Sequence, residues 1–277
     1  MTRYHRAASR GCSRGPRQRS SQKMKRSVRI ALVGTVATLS LAGIAGASSA
    51  WSYKGSTGPK NWASLDPAWE ACGNVDGQTP IDLRPTRANI PDLHFAYDDV
   101  SAEMFNNGHT VEAEPTPENT NAVTIDSVEY DFLQMHFHAP SEHKLRGKKY
   151  PVEIHFVNKS AEGVLAVVGV FIEATRQDNP AWAPFIEHLG VKQADGNVEA
   201  AINFDALLPS NHTSIQYTGS LTTPPCSGGV RWNVMSTVVK LSHRQIEAFT
   251  KAYSGNNRPI QPTAGRTVQI DTGTDGG

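Results

Sequence analysis

Residues 134–143 read Gln-Met-His-Phe-His-Ala-Pro-Ser-Glu-His, which crowds His136, His138, Glu142 and His143 into one short run. Successive side chains of a strand point to opposite faces, so imidazoles at i and i+2 point the same way. Gln134, His136 and His138 then share one face, with Met135 and Phe137 on the other. Glu153 and His155 share a face in the same manner on the next strand-like segment, Val152 to Val157. If these two strands lie side by side, three imidazoles converge. Three neutral imidazoles with an open fourth position form the donor set of a catalytic zinc site, whereas a structural site closes all four positions. Gln134 and Glu153, each two residues before a histidine, are spaced to orient an imidazole N–H from outside the ligand set.

The HxH pair alone does not decide this, because two histidines on a polar strand face also occur by chance. The stretch HFHAPSE fits the HxH-x3-E core of the cupins too, in which the glutamate is a fourth ligand and the metal is often iron or manganese. The second cupin segment, a glycine-led P-x-G-x2-H-x3-N, is absent around His155.

The elements that must position these side chains are short. Seventeen prolines and twenty-three glycines are spread along 277 residues, which predicts many turns and few long helices. Phe132 to His138, Val152 to Val157, Val164 to Ile172 and Val230 to Val239 are rich in Val, Ile and Phe and read as strands. Asn179 to Leu189 and Ser242 to Tyr253 read as helices, the second with Ser242 as N-cap. The chain is 38% hydrophobic with a formal net charge of +1, enough for one core and without the basic excess of a nucleic-acid binder. A mainly β (α+β) single domain over residues 51–277 is expected.

Residues 1–50 differ from the rest. Arg and Lys dominate as far as Arg29, Ile30 to Gly46 carries no charge, and small residues lead to Trp51. This is the layout of a secretory signal peptide, although the apolar run approaches the length of a short membrane span. Met24, before Lys25 and Arg26, would start a signal of more usual length. Cleavage would leave a periplasmic or secreted protein with no stable membrane anchor. Cys12 falls in the removed part, which leaves Cys72 and Cys226 as an even pair in an oxidising compartment. A disulfide between them closes a long loop and contributes on the order of 4 kcal/mol by chain entropy.

Further motifs follow in a fixed order. Asn106-Asn107-Gly108-His109, Gln134 to His138, Ser141-Glu142-His143, Val152 to Val157, Gly219-Ser220-Leu221-Thr222-Thr223-Pro224-Pro225 and Val230-Arg231-Trp232 stand between Gly77-Gln78-Thr79-Pro80-Ile81 and Asn257-Arg258-Pro259. In this order the chain resembles the α-class carbonic anhydrases, from about Trp51 to Ile270.

The resemblance implies a large, twisted, mostly antiparallel central sheet with a few short surface helices. It implies one Zn²⁺ on His136, His138 and His155, with Gln134 and Glu153 behind them, and reversible hydration of CO₂ to bicarbonate by zinc-bound hydroxide. Thr222 would accept the hydroxide's proton and donate its own to Glu142, which makes Glu142 an orienting residue and not a ligand. His143 would be a buried partner near Glu142. Thr223 would contact bicarbonate, and Val157, Val167, Leu221, Val230 and Trp232 would line the CO₂ pocket. His109 would carry protons to solvent along waters ordered by Tyr53 and Asn107. Two other classes fit parts of the pattern: a zinc-less binding protein of the same fold and a secreted cupin-type oxygenase. The expected partners are the small-molecule substrate pair alone, without nucleic acid, and either a monomer or a homodimer fits the sequence.

Overall fold

The structure is a computed structural model that describes residues 50–272. The basic extension and the apolar run read as a signal peptide lie outside the described residues. The first strands are β1 (Asp82–Leu83), β2 (Thr86–Ala88), β3 (Leu93–Ala96), β4 (Asp99–Asn106) and β5 (Val111–Pro115). Next come β6 (Ala122–Ile125), β7 (Val128–His138), β8 (Lys144–Leu145), β9 (Val152–Ser160) and β10 (Leu165–Thr175). The last are β11 (Val198–Asn203), β12 (Ser214–Ser220), β13 (Gly228–Met235), β14 (Val239–Ser242) and β15 (Gln269–Asp271). The α-helices are short: α1 (Trp62–Leu65), α2 (Ala183–Glu187) and α3 (His243–Ala252).

Across the main sheet the order is β11-β4-β5-β7-β9-β10-β13-β12-β15-β2. Neighbours are antiparallel except β10 with β13, β10 with β14, and β15 with β2. The central strands β9 and β10 are covered on both faces, which is why they read as nearly continuous apolar runs instead of alternating. One face carries Phe137, Ile154, Phe156, Val168 and Val170 in a core with Phe185 of α2 and Ile246 and Phe249 of α3. The other carries Val157, Val167, Val230, Trp232 and Val234 in a second core. The histidines lie on this second face of β7 and β9.

Two sequence expectations change. The strand expected over Val230 to Val239 is two strands: β13 stops at Met235, and β14 resumes at Val239 farther along β10. The break has a cause, since both the N–H and the Oγ of Ser236 donate to Thr213 O at 2.9 Å. The helix expected over Asn179 to Leu189 is a 3₁₀ turn, Pro180–Trp182, followed by five residues of α2. Pro184 has no N–H to donate to Pro180 O, so the two turns cannot share a continuous i→i−4 ladder. For α3, Ser242 caps as expected: its Oγ accepts from Gln245 N–H and Gln245 Oε1 accepts from Ser242 N–H, each at 3.2 Å. Among the described residues no helix is long and apolar enough to cross a membrane.

Candidate metal centre and its cleft

A register irregularity at Leu133 separates Phe132 from Gln134 on β7 and sets the alternation that follows. Beyond it His136 stands opposite His155 of β9, and His138 opposite Glu153. Each ring has its outer nitrogen engaged. Nδ1–H of His136 donates to Gln134 Oε1 at 2.7 Å, Nδ1–H of His138 to the Asn256 carbonyl at 2.6 Å, and Nε2–H of His155 to Glu153 Oε1 at 2.9 Å. These bonds fix the tautomers, leaving lone pairs on Nε2 of His136, Nε2 of His138 and Nδ1 of His155. The three side chains offer ligand atoms within 4.8 Å of one another.

The two Nε2 atoms of His136 and His138 lie 3.1 Å apart. Two unprotonated nitrogens at that distance repel unless a cation sits between them. Tetrahedral zinc with bonds of about 2.0–2.1 Å would hold its ligand nitrogens roughly 3.3 Å apart, so the residues fit such an ion. Burial pushes the His136 pKa well below its ordinary value, and neighbouring His138 and His155 push it the same way. Burial also lowers that of His138. Both rings are thereby kept neutral, the state in which imidazole binds metal.

Behind the ligands lies a buried hydrogen-bond network. Glu153 Oε1 accepts from His143 Nδ1–H at 2.7 Å as well as from His155, and Oε2 accepts the His143 backbone N–H at 2.8 Å. Burial alone would raise the Glu153 pKa; His143 and His155 outweigh it and hold the carboxyl well below its usual value. The Tyr217 hydroxyl lies 2.6 Å from His143 Nε2 and 3.1 Å from Thr79 Oγ1. Thr79 Oγ1 in turn accepts Ser220 N–H at 3.0 Å. The His155 ring is thus tied, through Glu153, His143, Tyr217 and Thr79, to Ser220 at the start of the segment that carries Thr222. His143, expected as a buried partner near Glu142, is fully buried, and its ring pairs with Glu153 and Tyr217.

Glu142 is fully buried and lies outside the converging ligand set, against its role in a cupin centre. Its Oε1 accepts Arg258 N–H at 2.8 Å. The bond expected from Thr222 is not formed: Glu142 Oε2 has no hydrogen-bond partner, though it lies 3.5 Å from His138 Nε2. A buried carboxylate oxygen left open beside a ligand ring is an acceptor awaiting a donor. The Arg258 side chain, its pKa lowered to about 10 by burial, reaches Gln78 Oε1, Thr79 O and Cys72 O at 2.7, 2.8 and 3.0 Å. Cys72 and Cys226 are bonded to each other, and Cys226 N–H donates to Thr223 O at 2.8 Å.

The centre opens into a cleft lined by His136, His138, Gln134, Thr223, Tyr53, Asn107, His109, Trp51 and Glu112. The His109 ring lies flat on Trp51, centroids 3.6 Å apart and planes 7° from parallel, and burial lowers its pKa. Val157 stands opposite Val167, Val167 opposite Trp232, and the Trp232 ring lies 4.9 Å from that of His155. Val230 belongs to the same apolar cluster and Leu221 packs against it. Asn256, Arg258, Tyr217, Trp51 and Glu112 join the site without having been singled out for it from the sequence. Only Arg258 carried a signal, its place in Asn257-Arg258-Pro259.

A twisted sheet that gathers three histidines, each with its outer nitrogen engaged, beside an open cleft defines a protein able to hold a metal ion. The eukaryotic-type carbonic anhydrase family model matches residues 57–272. A carbonic anhydrase of Klebsiella pneumoniae is 37% identical over 225 residues, covering 79% of this chain and 90% of its own. The structure of the α-carbonic anhydrase of Thermovibrio ammonificans with the inhibitor sulfanilamide is 36% identical, with a TM-score of 0.74 over 80% of this chain and 99% of that one. Dioscorin complexed with ascorbate is 31% identical, with a TM-score of 0.73 over 80% and 97%. The chain belongs to the eukaryotic-type carbonic anhydrases, enzymes of CO₂ and bicarbonate.

Proposed function

We propose that the chain is an exported zinc enzyme that hydrates CO₂ reversibly to bicarbonate and a proton, with His109 as proton shuttle. The observation that carries this is the set of three outer bonds, to Gln134, Asn256 and Glu153, which leave one nitrogen free on each of three side chains whose ligand atoms lie within 4.8 Å of one another. His136, His138 and His155 would hold Zn²⁺. The chemistry that zinc would supply there is a lowered pKa for a bound water, an effect for which carbonic anhydrase is itself the reference case.

The chain's own residues supply the rest. Thr222, buried at 5% exposure, is proposed to orient the nucleophile while its hydroxyl donates a hydrogen bond to the open Oε2 of Glu142. Val157, Val167, Leu221, Val230 and Trp232 offer the apolar wall that CO₂ requires, and Thr223 a polar edge for bicarbonate. His109, neutral at physiological pH, accepts the product proton and releases it at the mouth, with Tyr53 and Asn107 on the route between. The disulfide supports an exported, periplasmic or secreted location.

Elemental analysis with stopped-flow CO₂ hydration tests the reading. The purified protein should carry one zinc per chain, and His155→Ala should lose both zinc and activity. His109→Ala should keep its zinc but turn over at least about tenfold more slowly in dilute buffer, with added imidazole restoring part of the rate. Activity retained in His155→Ala would mean that the ligands are wrongly assigned. A protein that takes up no zinc would stand closer in function to a metal-free binding protein.

A further inference from the structure

Glu112 is half-buried in the wall of the cleft, and neither the ligand set nor the apolar wall gives it a task. It sits on β5 directly opposite His136 of β7, so the sheet registers it against the ligand strand. Its Oε2 accepts from Asn107 Nδ2–H at 3.0 Å. The other end of the same amide, Asn107 Oδ1, accepts the backbone N–H groups of His109 at 2.9 Å and Thr110 at 3.0 Å.

Asn107 is exposed on the turn between β4 and β5. The terminal torsion of an asparagine is soft, and a half-turn about it would present NH₂ to two N–H donors and release them both. An acceptor at the Nδ2 end disfavours that orientation, and Glu112 Oε2 supplies it. Through it the position of the ligand strand is carried to the backbone of His109. Stacking on Trp51 and the bond from Asn256 Nδ2–H to His109 O at 3.1 Å restrain the same residue independently, so losing Glu112 should loosen the turn without unfolding it.

We propose that Glu112 is a positioning residue for proton transfer: by orienting the Asn107 amide it holds the His109 turn over the cleft. The inference rests on His109 being the shuttle. Proton release follows CO₂ hydration, so a fault in it lowers kcat and spares kcat/KM, whereas general damage to the cleft lowers both.

The test compares Glu112→Ala and Glu112→Gln with the unaltered enzyme and with His109→Ala, all zinc-loaded and assayed in dilute buffer. In Glu112→Ala we expect kcat to fall about three- to tenfold with kcat/KM within about twofold, since a displaced relay costs rate without touching hydration. Glu112→Gln keeps an acceptor oxygen and should recover most of kcat. In the metal-free protein, hydrogen exchange at the His109 and Thr110 amides should quicken about tenfold in Glu112→Ala and return towards normal in Glu112→Gln. Unchanged kcat and exchange in Glu112→Ala, a parallel fall in kcat/KM, or a Gln variant as slow as the Ala variant would each overturn the proposal. If His109→Ala slows turnover and Glu112→Ala does not, the shuttle stands and only this inference fails. If His109→Ala turns over normally, the shuttle reading fails and this one with it.

Discussion

Glu153 accepts three hydrogen bonds on two oxygens, two of them from rings and one from the His143 backbone. Only an ionised carboxylate can do this in a site with no exposure to water, because a Gln side chain would set its NH₂ against one of the same N–H groups. Glu153→Gln should therefore weaken zinc binding by about 10- to 100-fold, the usual cost of losing a partner behind a ligand. It should also lower stability by about 1–3 kcal/mol through the unsatisfied donor. Chelator competition reads the first effect and urea unfolding the second; zinc affinity equal to that of the unaltered protein would show that His155 needs no such support. Glu153 could be found from the sequence because it precedes His155 by one strand period. Asn256 plays the corresponding part for His138 from 118 residues away, and no local periodicity marks a carbonyl acceptor at that distance.

At the scale of elements, β12 and β13 decide where Thr222 stands. Their pairing shifts register between Gly219 and Ser220, and the chain then leaves the sheet into the Thr222–Thr223 turn. Gly219 is where the fold allows no side chain. A Cβ there would lie 2.1 Å from Thr79 Oγ1 and 2.9 Å from the Tyr217 ring, and both groups are locked in the network behind the metal ligands. Gly219→Ala should cost about 1–3 kcal/mol, as overpacking of a dense interior does. Gly228→Ala on the neighbouring strand meets nothing within 4 Å and should change stability by less than about 0.5 kcal/mol. Urea melts of the two variants check this, and equal midpoints would mean that the Thr79 network yields freely. The period-2 pattern revealed β7 and β9 because strands that present His136 with His138, and Glu153 with His155, from one face must alternate. It did not reveal the break at Ser236 or the short α2, which depend on a bond to Thr213 and on two prolines acting together.

Over the whole molecule, three segments far apart in the sequence meet around one disulfide. Cys72 and Cys226 are separated by 154 positions, and Arg258 reaches Cys72 O and Gln78 Oε1 while Gln78 Nε2–H donates to Cys226 O at 3.2 Å. The N-terminal turns, the segment after Thr223 and the C-terminal Arg258 thus share one buried junction. The bond's chief effect is on the unfolded chain, where closing so long a loop removes conformations worth on the order of 4 kcal/mol. The native junction also holds hydrogen bonds that involve no sulfur atom, from Arg258 to Cys72 O and Gln78 Oε1 and from Gln78 to Cys226 O. The reduced protein should therefore stay folded and active at room temperature while its Tm falls by about 8–16 °C, at about 2–4 °C per kcal/mol for a domain of this size. Calorimetry with and without reductant, alongside the Cys72→Ala/Cys226→Ala double variant, measures this. Equal melting would show that the bond adds nothing beyond the Arg258 junction. Loss of zinc on reduction at 25 °C would show instead that the disulfide is needed to hold the Thr222 segment and the ligands behind it.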